Sequence, residues 1–217
     1  MKHEILCGDV LDGLRSLPDG SVQCVVTSPP YWGLRNYGVE GQIGLEPTPE
    51  AYVEKMVEVF REVRRVLRDD GTLWLNLGDC FTSGGRTSNG TREGYMQQIN
   101  RGASGECDAP RLSMPPGLKP KDLVGIPWRV AFALQADGWY LRSDIIWSKP
   151  NPMPESVTDR PTKSHEYIFL LSKSPRYFYD ADAVREEQTG NAHSRGKGLT
   201  PKSAPEGSNI RAKESWH

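Results

Sequence analysis

Apolar residues recur along the first 185 positions with two periods, one suited to strands and one to helices. The short run Glu4-Ile5-Leu6-Cys7, ending at Gly8-Asp9, predicts a strand. Asp9 to Leu17 follows as an amphipathic helix, and Pro18-Asp19-Gly20 turns the chain into Ser21 to Thr27, which is β-branched enough for a buried strand. Strand, helix, strand is the unit that builds parallel sheets. Thr48-Pro49-Glu50 then reads as a helix start, with threonine as cap and proline in the first turn. Val53, Met56, Val57, Phe60, Val63 and Leu67 form that helix's inward stripe, and Arg61, Arg64, Arg65 and Arg68 its solvated side. Asp69-Asp70-Gly71 should end it before a strand from Thr72 to Asp79. A further helix spans Trp128 to Ala136, and strands follow at Trp139 to Trp147 and His165 to Lys173. With no helix between them, these last two should pair antiparallel. The pattern predicts an α/β fold around a mostly parallel sheet that finishes in an antiparallel pair.

Polar stretches divide these elements. Trp32 to Gly38 and Gly41 to Glu46 are dense in glycine and aromatics and read as a loop; exposed Trp32 and Tyr37 beside Arg35 would suit stacking on bases. Residues 80–121 carry Arg86, Arg92, Arg101, Arg111, Lys119 and Lys121 against Glu93, Glu106 and Asp108. A glycine-rich, net basic loop of that length suits phosphate contact and suits disorder equally. From about Glu186 the chain is polar without apolar periodicity, so residues 1–185 are expected as the folded part and 186–217 as a tail or linker. The formal net charge of −1 does not itself point to nucleic acid. Cys7, Cys24, Cys80 and Cys107 are widely spaced, which argues against a zinc site or disulfide framework and makes Cys7 and Cys24 simple core residues of a cytoplasmic protein. No metal is implied, no run is long enough to span a membrane, and no signal peptide is expected.

The stretch Val25-Val26-Thr27-Ser28-Pro29-Pro30-Tyr31-Trp32-Gly33 carries the chemistry. Two prolines can neither feed a sheet ladder nor continue a helix, so the chain must leave the sheet at Ser28. The carboxyl end of a parallel strand is where α/β sheets bind ligands. If the next strand is parallel, Asn76 to Asp79 lies beside this loop.

Thr-Ser-Pro-Pro-Tyr after an apolar residue resembles the catalytic motif of the amino-group DNA methyltransferases, in the form typical of their cytosine-N4 branch. The resemblance implies a Rossmann-like sheet, S-adenosylmethionine as cofactor and double-stranded DNA as partner, in the setting of restriction-modification. It implies transfer of a methyl group to the exocyclic amine of a flipped-out cytosine, with adenine-N6 transfer or an inactive DNA-binding fragment as alternatives. Such an amine is a poor nucleophile because its lone pair is delocalised. Acceptors from the Ser28 side chain and the Pro29 backbone, braced by Pro30, would hold its hydrogens and turn the lone pair toward the methyl donor. Tyr31 would stack on the base. Asp9 reads as a helix cap on its residues alone; the resemblance adds a contact to the cofactor's adenine, with Ser28 and Pro29 also beside the cofactor. Trp32, Arg35, Lys149 and His165 are the candidate DNA contacts, His165 reading equally as a hydrogen-bonded structural histidine.

The resemblance covers residues 4–185, and Trp147 to Asn151, Thr162 to Tyr167 and Arg176 to Asp180 resemble later motifs of the same family. The family's glycine-rich Phe-x-Gly-x-Gly turn is absent. The chain is therefore expected to be the first, catalytic half of a permuted enzyme, its cofactor half supplied by further sequence or a second chain.

Overall fold

The computed structural model describes residues 3–82, 117–152 and 154–185. Most of the expected basic loop and all of the expected tail lie outside them. Two units are distinguished, Met1–Phe178 and Tyr179–His217. In the second the described residues are 179–185, a turn in which Asp180 Oδ1 accepts a hydrogen bond from the Ala183 amide.

In the first unit the elements are α1 (Val10–Arg15), β1 (Val22–Thr27), α2 (Pro49–Val66), β2 (Leu67–Leu77), α3 (Ile126–Ala136), β3 (Tyr140–Ser148) and β4 (His165–Ser172). The four strands form one sheet in the order β1-β2-β4-β3. β1 and β2 are parallel, whereas β4 is antiparallel to both β2 and β3. The sheet is mixed, with the expected antiparallel pair at its end, and among these four strands one pairing of the three is parallel.

Local chemistry explains the helix starts. Asp9 Oδ1 accepts from the amides of Leu11 (2.9 Å) and Asp12 (3.3 Å), capping α1. Thr48 Oγ1 accepts from Ala51 N at 3.2 Å above Pro49, which has no amide to satisfy. α2 buries Tyr52, Met56, Val59, Phe60, Val63 and Val66. Of these, Tyr52, Met56, Phe60 and Val63 meet Leu73, Leu75 and Leu77 of β2, Phe169 and Leu171 of β4, and Val130, Ala131 and Leu134 of α3 in one apolar core. Each fully buried Leu or Phe there contributes about 1.5–3 kcal/mol relative to exposure. Trp128 of α3 seats edge-on against Tyr167 and Phe169, at centroid distances of 5.5 and 5.0 Å. Because side chains alternate along a strand, Asn76 and Glu166 lie on the sheet face opposite this core.

Four expectations are corrected. Residues 4–7 are not a strand: no strand beyond β1 pairs with them among the described residues, and Ile5 is 93% exposed. Among the described residues β1 is an edge strand, not a buried one. Its register with β2 breaks between Val22 and Cys24, so Val22 and Val25 pack against the core while Cys24 and Val26 are exposed. Cys7 and Cys24 are consequently exposed, not core residues. Asp69-Asp70-Gly71 does not end α2 but lies inside β2, which begins at Leu67. The chain is held tightly there, since a Cβ on Gly71 would stand 2.9 Å from the Gln23 carbonyl.

Candidate active site at the end of β1

Ser28 is the first residue past β1 and is exposed. Pro29 and Pro30 carry the chain away from the sheet, and the Tyr52 hydroxyl of α2 donates to the Pro30 carbonyl at 2.9 Å. Burial, reinforced by the charge of Glu46, raises the Tyr52 phenol well above its ordinary pKa, so it stays a donor. A core residue thus anchors the proline loop.

Parallel pairing sets the C-terminal end of β2 beside Ser28. Ser28 Oγ lies 3.1 Å from Tyr31 Oη and 3.2 Å from Asn76 Oδ1, and Tyr31 Oη lies 2.7 Å from the same amide oxygen. β4 closes the group: Glu166 Oε2 is 3.3 Å from Tyr31 Oη and 3.4 Å from Asn76 Nδ2, and Asn76 Nδ2 also donates to the Tyr167 carbonyl at 3.1 Å. Lys149, just past β3, is ion-paired with Glu166 Oε1. Burial alone would raise the Glu166 pKa, but the Lys149 bond and charge, with bonds from Asn76 and Tyr31, outweigh it and hold the carboxyl below its ordinary value. Burial raises the Tyr31 phenol; the Ser28 bond opposes this and the Glu166 charge adds to it. At neutral pH the cluster therefore holds Glu166 as a carboxylate and Tyr31 as a neutral phenol.

The Tyr31 ring is fixed by close approach. A Cβ on Gly78 would fall 2.5 Å from Tyr31 Cδ2 and closer still to Cε2, so only glycine leaves room for the ring. On the other side of the loop, Gly44 has φ +101° and passes so near that a Cβ there would meet the Tyr31 carbonyl at 3.0 Å.

The remaining candidates fall in different places. Trp32, expected as an exposed stacking residue, is only 2% exposed and donates from Nε1 to the Glu46 carbonyl at 2.8 Å. The loop folds back over positive-φ glycines at 33, 38, 41 and 44 and returns to the start of α2, driving the indole into the core. Arg35 is exposed, its carbonyl accepting from Gln42 Nε2 at 2.9 Å. Lys149 is committed to Glu166. His165 lies edge-on to Tyr167 at a centroid distance of 5.2 Å. Asp79 turns away from the cluster: its Oδ1 accepts from the amides of Gly125 (2.9 Å) and Ile126 (3.1 Å), capping α3 from another segment of the chain. The residues that sequence reasoning undervalued are Glu166 and Gly78. For Glu166 a signal was present, a carboxylate at the head of a strand otherwise running into apolar residues.

Among the described residues no group of three or more His, Cys, Asp or Glu side chains is placed to hold a metal ion, and no helix is long and apolar enough to cross a membrane. The chemistry available is hydrogen-bond acceptance at Ser28, backed by a charged network, at the open end of a parallel strand.

Known proteins are similar to this chain in sequence and in fold. The chain is 59% identical over 181 residues to the type II methyltransferase M.Cfr9I of Citrobacter freundii, covering 83% of this chain and 58% of that protein. It is 56% identical over 183 residues to M.SmaI of Serratia marcescens, covering 84% and 60%. The chain thus spans somewhat over half the length of these relatives. Among solved structures, TTHA0409 of Thermus thermophilus, in complex with S-adenosyl-L-methionine, superposes with a TM-score of 0.51 at 25% identity, covering 81% of this chain and 55% of that one. The PvuII cytosine-N4-specific DNA methyltransferase superposes with a TM-score of 0.53 over 82% and 51%, and at 17% identity that likeness speaks to the fold. The N6/N4 DNA methylase family profile matches residues 22–216, and the chain belongs to that DNA methylase family.

Proposed function

We propose that this chain carries the catalytic half of a type II DNA methyltransferase, one that moves a methyl group from S-adenosylmethionine to the exocyclic N4 amine of a cytosine turned out of the double helix. The observation that carries the reading is Ser28 Oγ, exposed at the end of β1 and backed by Tyr31 and Asn76. Ser28 Oγ and the Pro29 carbonyl accept the two amine hydrogens, which localises the nitrogen lone pair. Two prolines and the Tyr52 anchor keep the acceptors in place, so little reorganisation accompanies the reaction. The Tyr31 ring, held by Gly78 and its own hydroxyl, offers the base a rigid surface. Exposed Arg35 is suited to the DNA backbone.

The cofactor supplies an electrophilic methyl on a sulfonium. Asp9 fits a role in binding it: the residue is exposed, its cap bonds use one oxygen, and a carboxylate has capacity left for an adenine amino group. No glycine-rich cradle for the methionine end occurs in the sequence. The edge of β1, unpaired among the described residues, and the exposed Ile5 and Leu6 support a further stretch of polypeptide completing the sheet.

The test is methyl transfer from labelled S-adenosylmethionine to double-stranded DNA, followed by nucleoside mass analysis. Ser28→Ala should lower kcat about 10²–10³-fold, the cost of removing one preorganised partner of the reacting group. N4-methylcytosine is the expected product. N6-methyladenine would move the assignment to the adenine branch, and full activity in Ser28→Ala would overturn the mechanism.

A further inference from the structure

The donors and acceptors around Asn76 admit one arrangement. The Tyr167 carbonyl accepts only, so the atom 3.1 Å from it is the amide nitrogen, and the second hydrogen on that nitrogen faces Glu166 Oε2 at 3.4 Å. The amide oxygen is thereby turned to Ser28 Oγ and Tyr31 Oη. That oxygen also accepts only. Whether the Ser28 proton goes to Asn76 Oδ1 or to Tyr31 Oη, it is used within the cluster, and a Ser28 lone pair is left to face outward. In the opposite orientation the Asn76 amino group would donate to Ser28 Oγ and compete with any incoming amine.

We infer that Glu166, clamped by Lys149, is a positioning residue that holds the Asn76 amide oxygen toward Ser28 and so keeps the Ser28 oxygen free to accept a hydrogen from the amine being methylated. The inference rests on the amine-transfer reading above. Lys149 takes Glu166 Oε1 and leaves Oε2 for Asn76 and Tyr31. Register makes the placement possible: Asn76 pairs with Ile168, Leu77 with Tyr167 and Trp147 with Glu166, which brings three strands to one point beside Ser28. Neither Glu166 nor Lys149 touches Ser28 in this arrangement; both act through Asn76 and Tyr31.

The experiment compares steady-state kinetics of the full-length protein with Glu166→Gln, Asn76→Asp and the double variant. Glu166→Gln lets a carboxamide NH₂ face the Asn76 oxygen and favours the wrong orientation, against the continued opposition of the Tyr167 carbonyl. Its kcat should fall about 10- to 100-fold, the usual loss for a partner that orients a contacting group, with KM for DNA and cofactor unchanged. Asn76→Asp alone sets two carboxylates together and should be worse. In the double variant the carboxamide NH₂ of Glu166→Gln donates to the carboxylate of Asn76→Asp and removes the clash of two carboxylates, while an oxygen still opposes the Tyr167 carbonyl, so it should be more active than Asn76→Asp alone and less active than the native protein. A purely structural ion pair would lower folding stability in Glu166→Gln and leave kcat of the folded protein unchanged. Wild-type kcat in Glu166→Gln, or a double variant no better than the worse single one, overturns the inference while leaving the Ser28 reading intact. Absence of any transfer by the native protein overturns the reading instead. The inference is then decided by side-chain NMR, in which the Asn76 amide protons should be slow to exchange and lose that protection in Glu166→Gln; unchanged signals refute it.

Discussion

At Gly78 one missing methyl group decides where Tyr31 sits. A Cβ there would enter the tyrosine ring, while the ring's hydroxyl is tied at 2.7 Å to Asn76, so it cannot retreat without giving up that bond. Gly78→Ala should cost about 1–3 kcal/mol of stability through overpacking. It should also lower kcat for methyl transfer far more than a distant substitution of equal stability cost, which paired melting and turnover measurements would show. Glu166 sets a pH dependence at the same place. Its folded pKa lies below the ordinary 4.5, so between the two values the unfolded chain binds more protons than the folded one. Its contribution to stability is thus complete above about pH 4.5 and is lost as the pH falls through the folded value. Urea midpoints of the native protein and Glu166→Gln should differ at pH 7, and the gap should shrink as the pH falls below 4.5; an undiminished gap in acid would show that the carboxylate is not responsible.

Elements bring these residues together, and their sequence signals were unequal. Thr48-Pro49 gave the start of α2 because the cap and the proline act within one turn. The antiparallel pairing of β3 with β4 followed from the lack of a helix between them. What stayed hidden was long-range. The cap of α3 is Asp79, 46 residues before Gly125, the first amide of the helix start that it binds, and Gly125 at the cap position has no side chain to advertise it. Trp32 lay in a stretch dense enough in glycine to read as open loop, and its burial depends on those glycines folding the chain back to Glu46. Ser28 and Tyr31 were legible because prolines act locally, whereas the value of Glu166 and Lys149 exists only once β2, β4 and β3 are in register. Asp79→Ala should lower stability by about 0.5–2 kcal/mol by leaving the Gly125 and Ile126 amides without their acceptor. Amide exchange should localise the loss to the first turn of α3, and protection there equal to the native protein's would refute the capping role.

Across the whole first unit the core lies on one face of the sheet and the chemistry on the other. β2 and β4 are the central strands, flanked by β1 and β3, and Phe169 of β4 is fully buried between the helices and the sheet. Its ring touches Trp128 of α3 at 5.0 Å and stacks on Tyr167 at 6.0 Å, whose carbonyl in turn holds the Asn76 amide. Strand alternation therefore couples the two faces: the backbone that packs Phe169 inward is the backbone that presents Glu166 and the Tyr167 carbonyl to the site. Phe169→Ala should destabilise the protein by about 3–5 kcal/mol, the cost of a large aromatic removed from a closed core. Ile146 on β3 is 54% exposed, and Ile146→Ala should stay within about 0.5 kcal/mol of the native protein. Chemical denaturation of the two variants distinguishes this layered arrangement from one in which β3 carries an equal share of the core. In the second case both substitutions would cost several kcal/mol. In the first, Phe169→Ala alone would, and at temperatures where it remains folded it should also loosen the Asn76 amide on the opposite face.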